Sequence, residues 1–235
     1  MELREAAGYV GWGLSEQGMD RLSVFGDLLL SARSNVTAIR EPHEVEKSHF
    51  LDSLSLLDVS EIRDASRIVD VGSGGGLPAV VLAIALPGVH VTALDSVAKK
   101  CAFIEAVRAR LDLENLSVVC ARAEDVGRTE VRELFDVAVA RAVAPLSVLA
   151  ELTMPLVGLG GVFVAAKAEL SNQERIEGVA ALAILGSDRY DLRRARSFAE
   201  AENRWLFLAF KDRPTPAQYP RRAGVPARRP LGVRR

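Results

Sequence analysis

The sequence predicts a doubly wound α/β fold: a mostly parallel sheet with one antiparallel strand, preceded by an N-terminal helical extension. Three observations predict it. Short apolar, β-branched runs recur from residue 68 onward. Helical stretches separate the first five of them, which is the pattern of βαβ units and a parallel sheet. The runs are apolar almost without interruption, as strands buried on both faces must be.

The elements follow in order. Residues 14–57 read as helices: Leu22, Phe25 and Leu29 keep i, i+3, i+7 spacing, and Phe50, Leu54 and Leu57 keep i, i+4, i+7. Asn35 and Thr37 suit a break between them, and Pro42 suits the start of the second helix. Ile68-Val69-Asp70-Val71 is the first strand, closed by Gly72. The second runs from Val89 to Leu94 and ends at Asp95, the third from Leu116 to Cys120, the fourth from Phe135 to Ala140 and the fifth from Gly161 to Ala166. Helices are expected over 77–86, 97–112, 145–156 and 172–185. Tyr190 to Ser197 and Arg204 to Phe210 then follow as two strands with no helix between, so a hairpin there adds an antiparallel strand to the parallel sheet. The tail from Arg213 holds Pro214, Pro216, Pro220, Pro226 and Pro230 and is predicted to be extended. The expected organisation is a helical cap over residues 1–60, a sheet domain over 61–212 and a basic Pro/Arg-rich tail over 213–235. No internal repeat is present.

A chain of 235 residues and 25.4 kDa suits one large domain with a small helical appendage. Only 6% of residues are aromatic, so the core rests on Val, Leu, Ala and Ile. The net charge of −1 hides an asymmetry: Lys211 to Arg235 carries eight Lys/Arg against one acid, Asp212, a net +7 that leaves −8 for the rest. An acidic body with a basic tail is suited to gripping a polyanion at one edge. Cys101 and Cys120 fit neither a disulfide framework nor a metal site. One lies mid-helix and the other in strand three, and both read as buried small apolar residues. Met1 to Val10 carries Glu2, Arg4 and Glu5 and lacks the apolar core of a signal peptide. Leu152 to Ala166 is too short, and too broken by Pro155 and glycines, to span a bilayer. The expectation is a protein of a reducing cytoplasm.

The chemistry is carried by Asp70-Val71-Gly72-Ser73-Gly74-Gly75-Gly76-Leu77-Pro78, where the first strand turns into a helix. Glycines allow a tight turn there, and backbone N–H groups can approach a ligand at the helix start. A dinucleotide fingerprint needs glycine at the first, third and sixth places, but the sixth from Gly72 is Leu77. The spacing is instead acid-x-Gly-x-Gly-x-Gly, through Asp70, Gly72, Gly74 and Gly76. That resembles motif I of class I S-adenosylmethionine methyltransferases, a Rossmann-like fold. In that family the acid orients the loop and the glycines pack against the methionine part of the cofactor. Asp95 ends the second strand, nineteen residues beyond Gly76, where an acid can accept from both ribose hydroxyls. Ala123 and Glu124 stand just past strand three, where this family holds the adenine ring. Singly, Asp95 could be a helix cap and Glu124 solvated surface; together with the loop they mark a cofactor site.

After strand four, Ala140-Arg141-Ala142-Val143-Ala144-Pro145 lacks the Asn-Pro-Pro-Tyr type motif that handles exocyclic amines. No cysteine follows strand four, which argues against attack on a pyrimidine carbon. A longer ordered set is present: Asn35-Val36-Thr37-Ala38-Ile39-Arg40, His49 to Leu54, Gly76-Leu77-Pro78, Asp95-Ser96 with Lys99-Lys100, Arg122-Ala123-Glu124, Arg141-Ala142, and Tyr219-Pro220-Arg221-Arg222 with Gly224 and Pro226. This set resembles the glucose-inhibited division protein B family, the bacterial 16S rRNA guanine-N7 methyltransferases, over nearly the whole chain from about Asn35 to Leu231. Ala79, where the family has glycine after Leu-Pro, and Ala168, where Lys-Gly is usual, depart from it by small substitutions.

The resemblance implies methyl transfer from S-adenosyl-L-methionine to N7 of one guanine in small-subunit rRNA. It places the cofactor against Asp70, Gly72, Gly74, Gly76, Leu77, Asp95, Ala123, Glu124 and Arg141. Guanine N7 carries an in-plane lone pair, so no proton leaves before attack, and no catalytic acid or base is expected. Arg141 can pair with the cofactor carboxylate or make a surface salt bridge at a strand end. The first is preferred, because ligands bind beyond the carboxyl ends of strands in such sheets. His49 and Asp52, three apart on a helix, are either a packing pair or near the cofactor or RNA. Lys167, ending strand five, meets phosphate or solvent. Lys99, Lys100, Arg221 and Arg222 are expected on RNA phosphate, with Arg228 and Arg229 beside them. Arg193, Arg194 and Arg196 can be a charged strand face. The expected partner is 16S rRNA or the small ribosomal subunit, with no membrane, no metal and a monomeric chain. Three alternatives remain open: a methyltransferase of a small molecule or protein, a nucleotide-binding oxidoreductase, and a noncatalytic RNA-binding protein on the same fold.

Overall fold

A computed structural model describes residues 12–32, 39, 41–141, 144–195 and 204–233. Among them a single seven-stranded sheet forms from β1 (Arg67–Val71), β2 (His90–Asp95), β3 (Leu116–Cys120), β4 (Phe135–Arg141), β5 (Val157–Lys167), β6 (Arg189–Arg194) and β7 (Trp205–Phe210). Their order is β3-β2-β1-β4-β5-β7-β6. β1 to β5 are parallel, β7 runs antiparallel between β5 and β6, and this is the predicted hairpin. The strand order reverses between β1 and β4, which opens a crevice at their carboxyl ends.

Alternation along the strands divides the core into two layers. Ile68, Val137 and Val139 face one side and Val69, Ala138 and Ala140 the other. The first face is covered by α1 (Glu16–Ser31), α2 (Ala79–Ala85) and α3 (Ala98–Leu111), and by the segment from Pro42 to Arg63. Leu22, Phe25 and Leu29 are fully buried there, as their spacing predicts, and Phe25 stacks on Phe50 with ring centroids 5.6 Å apart. The second face is covered by α4 (Leu146–Thr153) and α5 (Asn172–Leu185) through Leu146, Leu149, Leu182 and Leu185. Caps hold two of the helices: Ser15 Oγ accepts from Gly18 N at 3.0 Å and Ser171 Oγ from Glu174 N at 3.1 Å. No helix among the described residues is long and apolar enough to cross a membrane.

The structure differs from the sequence expectation in four places. The second predicted helix is a composite: an α-turn at Pro42–Val45, a π-helical stretch at Glu46–Leu51, a further α-turn at Asp52–Leu54 and a 3₁₀ turn at Ser55–Asp58. β5 begins four residues before the predicted start. Gly158 and Gly161 lie so close to the backbone of β4 and the turn before it that added Cβ atoms would stand 2.9 Å from Glu133 O and 2.5 Å from Asp136 O. The glycines that read as a strand boundary thus let two strands approach across an irregular register. The tail is not wholly extended, since Val225–Arg228 forms one helical turn after Gly224. Cys120 is exposed rather than buried, because β3 is the edge of the sheet; Cys101 is buried. The predicted break at Asn35 and Thr37, the Ala142-Val143 pair, Arg196 and the chain start lie outside the described residues.

Candidate active site

A cavity of about 430 Å³ opens at the carboxyl ends of β1, β2, β3 and β4, within the size range of small-molecule sites. Val71, Gly72, Leu94, Asp95, Val97, Ala123, Glu124, Arg141 and Leu152 are among its lining residues. Five of the nine predicted cofactor residues therefore meet in one place: Gly72, Asp95, Ala123, Glu124 and Arg141. The other four, Asp70, Gly74, Gly76 and Leu77, build the loop behind the wall.

That loop is fixed from below. Gly72 N and Ser73 N both donate to Leu94 O, at 2.7 and 3.1 Å. Gly72, Gly74 and Gly76 have φ of 80°, 57° and 88°, the left-handed region that favours glycine. Asp70 is fully buried under the turn, where its Oδ2 accepts from Ala79 N at 3.1 Å and its Oδ1 has no hydrogen-bond partner. Burial pushes its carboxyl up to about 7, against the pull of that N–H, of Ser73 and of the Arg141 charge. Ala79, the departure from the family's glycine, is buried at the start of α2, and its N–H makes this bond.

Asp95 joins the loop to the second strand. Its Oδ2 accepts from Gly74 N and its Oδ1 from Val97 N, both at 2.9 Å, yet each carboxylate oxygen keeps a second lone-pair site. Lys100 Nζ stands 4.0 Å from Oδ2. Lys100, expected on RNA, thus lines the cavity, while Lys99 is exposed. The cysteines flank the same strand end. Cys101 Sγ donates to Asp95 O at 3.3 Å, and Cys120 pairs with Asp95 in register. Burial and the neighbouring Cys120 push the Cys101 thiol up to about 12, so it is an inert group.

Glu124 and Arg141 tie the cavity to distant parts of the chain. Glu124, nearly buried, accepts at Oε1 from Gly224 N in the tail at 2.9 Å. Arg141 Nη1 donates to Asp52 Oδ2 at 2.9 Å and to Ser48 O at 3.4 Å. Its Nε and Nη2 make no hydrogen bond among the described residues. Asp52 therefore faces Arg141 rather than acting only with His49. Desolvation, and then the Arg141 charge, hold the His49 imidazole below its ordinary pKa.

The basic residues separate into two groups. Arg222, Arg228 and Arg229 are exposed. Arg221 is turned inward, Nη2 donating to Glu151 Oε2 at 2.6 Å. Lys167 is turned inward: it bonds Ala144 O and Glu174 Oε1, both at 2.7 Å. Lys211 is buried among Met154 O, Thr215 Oγ1 and Glu133 Oε1. Arg193 pairs with Asp191 and Glu61, and Arg194 lies over the Trp205 ring. Sequence reasoning missed Val97 and Leu152 as cavity walls. The signal for Val97 was its place two residues beyond Asp95; Leu152 had none, being one of several apolar residues in α4.

A family model described as "rRNA small subunit methyltransferase G" matches residues 21–199. The chain is 41% identical over 221 residues to a Ribosomal RNA small subunit methyltransferase G of Desulfitobacterium hafniense, covering 93% of this chain and 91% of that one. It is 42% identical over 228 residues to the protein of that name from Rubrobacter xylanophilus, covering 94% and 87%. Among solved structures, the fold matches a SAM-dependent O-methyltransferase of Thermotoga maritima with TM-score 0.56 at 16% identity, covering 82% of this chain and 72% of that one. It also matches a Bacillus cereus O-methyltransferase in complex with SAH, with TM-score 0.53 at 19% identity, covering 84% and 91%.

Proposed function

The chain belongs to the GidB family of small-subunit rRNA methyltransferases, and from that premise we propose that it methylates N7 of one guanine in 16S rRNA. The methyl donor is S-adenosyl-L-methionine, and the chain acts as a monomer without a metal. The observation that carries this reading is the cavity at the reversal of strand order, lined by the Asp95 carboxylate and the Arg141 guanidinium.

The residues present fit the donor. Asp95 spends one lone-pair site per oxygen on the backbone and keeps the rest for two vicinal hydroxyls. Val97, Ala123 and Leu152 offer apolar walls for a purine ring, with Glu124 beside them. Arg141 keeps Nε and Nη2 unbonded among the described residues, and a guanidinium with two such donors suits a carboxylate in a bidentate fork. The glycines of the loop leave room for the methionine portion, and at Gly74 an added Cβ would meet nothing nearer than Gly72 O at 3.9 Å.

When bound, S-adenosyl-L-methionine supplies a methyl group already activated on a sulfonium. The protein's task is to hold both partners in line and to exclude water, which is catalysis by proximity. No side chain need remove a proton, because N7 presents a lone pair. The two acids on the wall are already engaged, Glu124 with Gly224 and Asp95 with the loop. Arg222 and Lys99 are exposed and suited to RNA phosphate.

Nucleoside mass spectrometry of small-subunit rRNA, from cells with and without this protein, tests the reading. A single N7-methylguanine that disappears on deletion supports it. An unchanged nucleoside profile, or labelled methyl appearing on protein instead, overturns it.

A further inference from the structure

We infer that Asp52 is a positioning residue for cofactor binding, acting through Arg141. Asp52 does not itself line the cavity, but it bonds Arg141, one of the cations that do. It sits between two guanidinium groups, with Arg141 Nη1 2.9 Å from Oδ2 and Arg204 Nε 3.2 Å from Oδ1. Its side chain is 8% exposed and that of Arg141 14%.

The charge balance of this cluster is specific. One carboxylate stands between two guanidiniums, so positive charge is in excess within this trio, and burial disfavours the charged form of the nearby His49. Arg204 is bound through Nε, while Arg141 lines the cavity and keeps Nε and Nη2 without a hydrogen bond among the described residues. The surplus charge is therefore available where one ligand carboxylate is to be received. Without Asp52, two partly buried guanidiniums would repel, and nothing at bonding distance except Ser48 O would hold the Arg141 head group.

The local backbone places Asp52 there. It follows the π-helical stretch Glu46–Leu51, whose wider turns take an additional residue per turn. The same helical layer buries Phe50 against Phe25 and turns Asp52 to the end of β4.

This inference rests on the reading of Arg141 as the carboxylate contact, and the experiment separates the two. Isothermal titration calorimetry would measure two probes, S-adenosylhomocysteine and 5′-methylthioadenosine, the second lacking the amino-acid carboxylate. Asp52→Asn and Arg141→Gln are each expected to weaken S-adenosylhomocysteine roughly 10-fold or more, as for a charged hydrogen bond, and to leave methylthioadenosine within about 2-fold. In the Arg141→Gln background Asp52→Asn adds no further loss. Asp52→Glu, which keeps the charge, recovers most of the affinity, and it gives the same contrast on a smaller scale if the Asn variant does not fold. Equal weakening of both probes by Asp52→Asn shows a merely structural role and overturns the inference. So does an unchanged S-adenosylhomocysteine affinity when Arg141→Gln lowers it. If Arg141→Gln itself changes neither probe, the carboxylate reading of Arg141 fails, and the inference with it.

Discussion

Glu151 grips Arg221 along two edges, Nε at 2.9 Å from Oε1 and Nη2 at 2.6 Å from Oε2, and its Oε1 also takes the Arg221 backbone N–H at 2.8 Å. The glutamate is wholly buried in α4, seventy residues before its partner. The tail is held to the body at other points as well: Arg128 donates to Pro220 O, Arg132 to Tyr219 O and Thr215 O, and Gly224 to Glu124. These bonds place exposed Arg222 beside the cavity's Glu124 wall by sequence proximity to Gly224.

The two neighbouring arginines should therefore behave differently. Arg221→Ala leaves a buried carboxylate without its ion pair and should cost about 3 kcal/mol or more of stability. Arg222→Ala should change stability by no more than about 0.5 kcal/mol, as an exposed substitution. It should instead weaken rRNA binding and lower the salt slope by about 1, as for one lost phosphate contact. Urea denaturation and salt-titrated RNA binding read the two effects. If Arg221→Ala left stability intact and lowered only the salt slope, the tail would be held by other bonds.

Asp70 predicts a pH dependence. Its carboxyl is pushed up to about 7 in the folded chain from an ordinary value of 3.8. Between those values the unfolded chain has released a proton that the folded chain keeps. Stability therefore falls as pH rises through this window and levels off above about 7. Asp70→Asn removes the effect. Measured by denaturation at pH 5 and at pH 8, the variant should gain on the wild type by roughly 2 to 3 kcal/mol between them, from 1.36 kcal/mol per unit of pKa. Parallel stability curves for the two proteins would show that Asp70 ionises normally.

These groups show where the sequence was readable. The strands were legible because Ile68 to Val71 and Phe135 to Ala140 are covered on both faces, so burial wrote itself into composition. Asp95 and Arg141 were legible because each stands at the carboxyl end of a strand, β2 and β4. The partners of the charges were not. Asp52 lies 89 residues from Arg141, and Glu151 is a lone acid in an apolar helix. Lys167 and Arg221 read as solvent or phosphate contacts, yet each is bound by a carboxylate brought near only by folding. Cys120 misled for a related reason: a strand at the sheet edge has the same apolar sequence as an inner one but lacks a covering neighbour.

The loop glycines should not be equivalent. Gly74 and Gly76 both have positive φ, but an added Cβ at Gly76 would stand 2.7 Å from Val80 Cγ2, whereas at Gly74 it meets open space. Gly74→Ala should cost roughly 1 to 2 kcal/mol from backbone strain alone. Gly76→Ala should cost roughly 2 to 4 kcal/mol, because crowding in the core adds to the strain. Since the space at Gly74 is open, Gly74→Ala should still fold and show its larger effect as weakened S-adenosylhomocysteine binding. Thermal melting with and without that ligand distinguishes the two. Equal losses of stability would mean that Val80 moves aside freely.

Asp95→Asn keeps the shape of the side chain and should still destabilise the site. The carboxylate accepts from two backbone donors at once, Gly74 N through one oxygen and Val97 N through the other. An amide has a single oxygen, so its NH₂ must face one of these N–H groups. One nearly buried donor then loses its acceptor, at a cost of about 1 to 3 kcal/mol. Whichever donor is lost, either the glycine loop or the start of α3 is released, and both border the cavity. The substitution should therefore lower stability in urea and weaken S-adenosylhomocysteine at least about 10-fold, as expected where a charged acceptor is removed. Stability within about 0.5 kcal/mol of the wild type would show that the Leu94 carbonyl, which takes Gly72 N and Ser73 N, is enough to hold the loop.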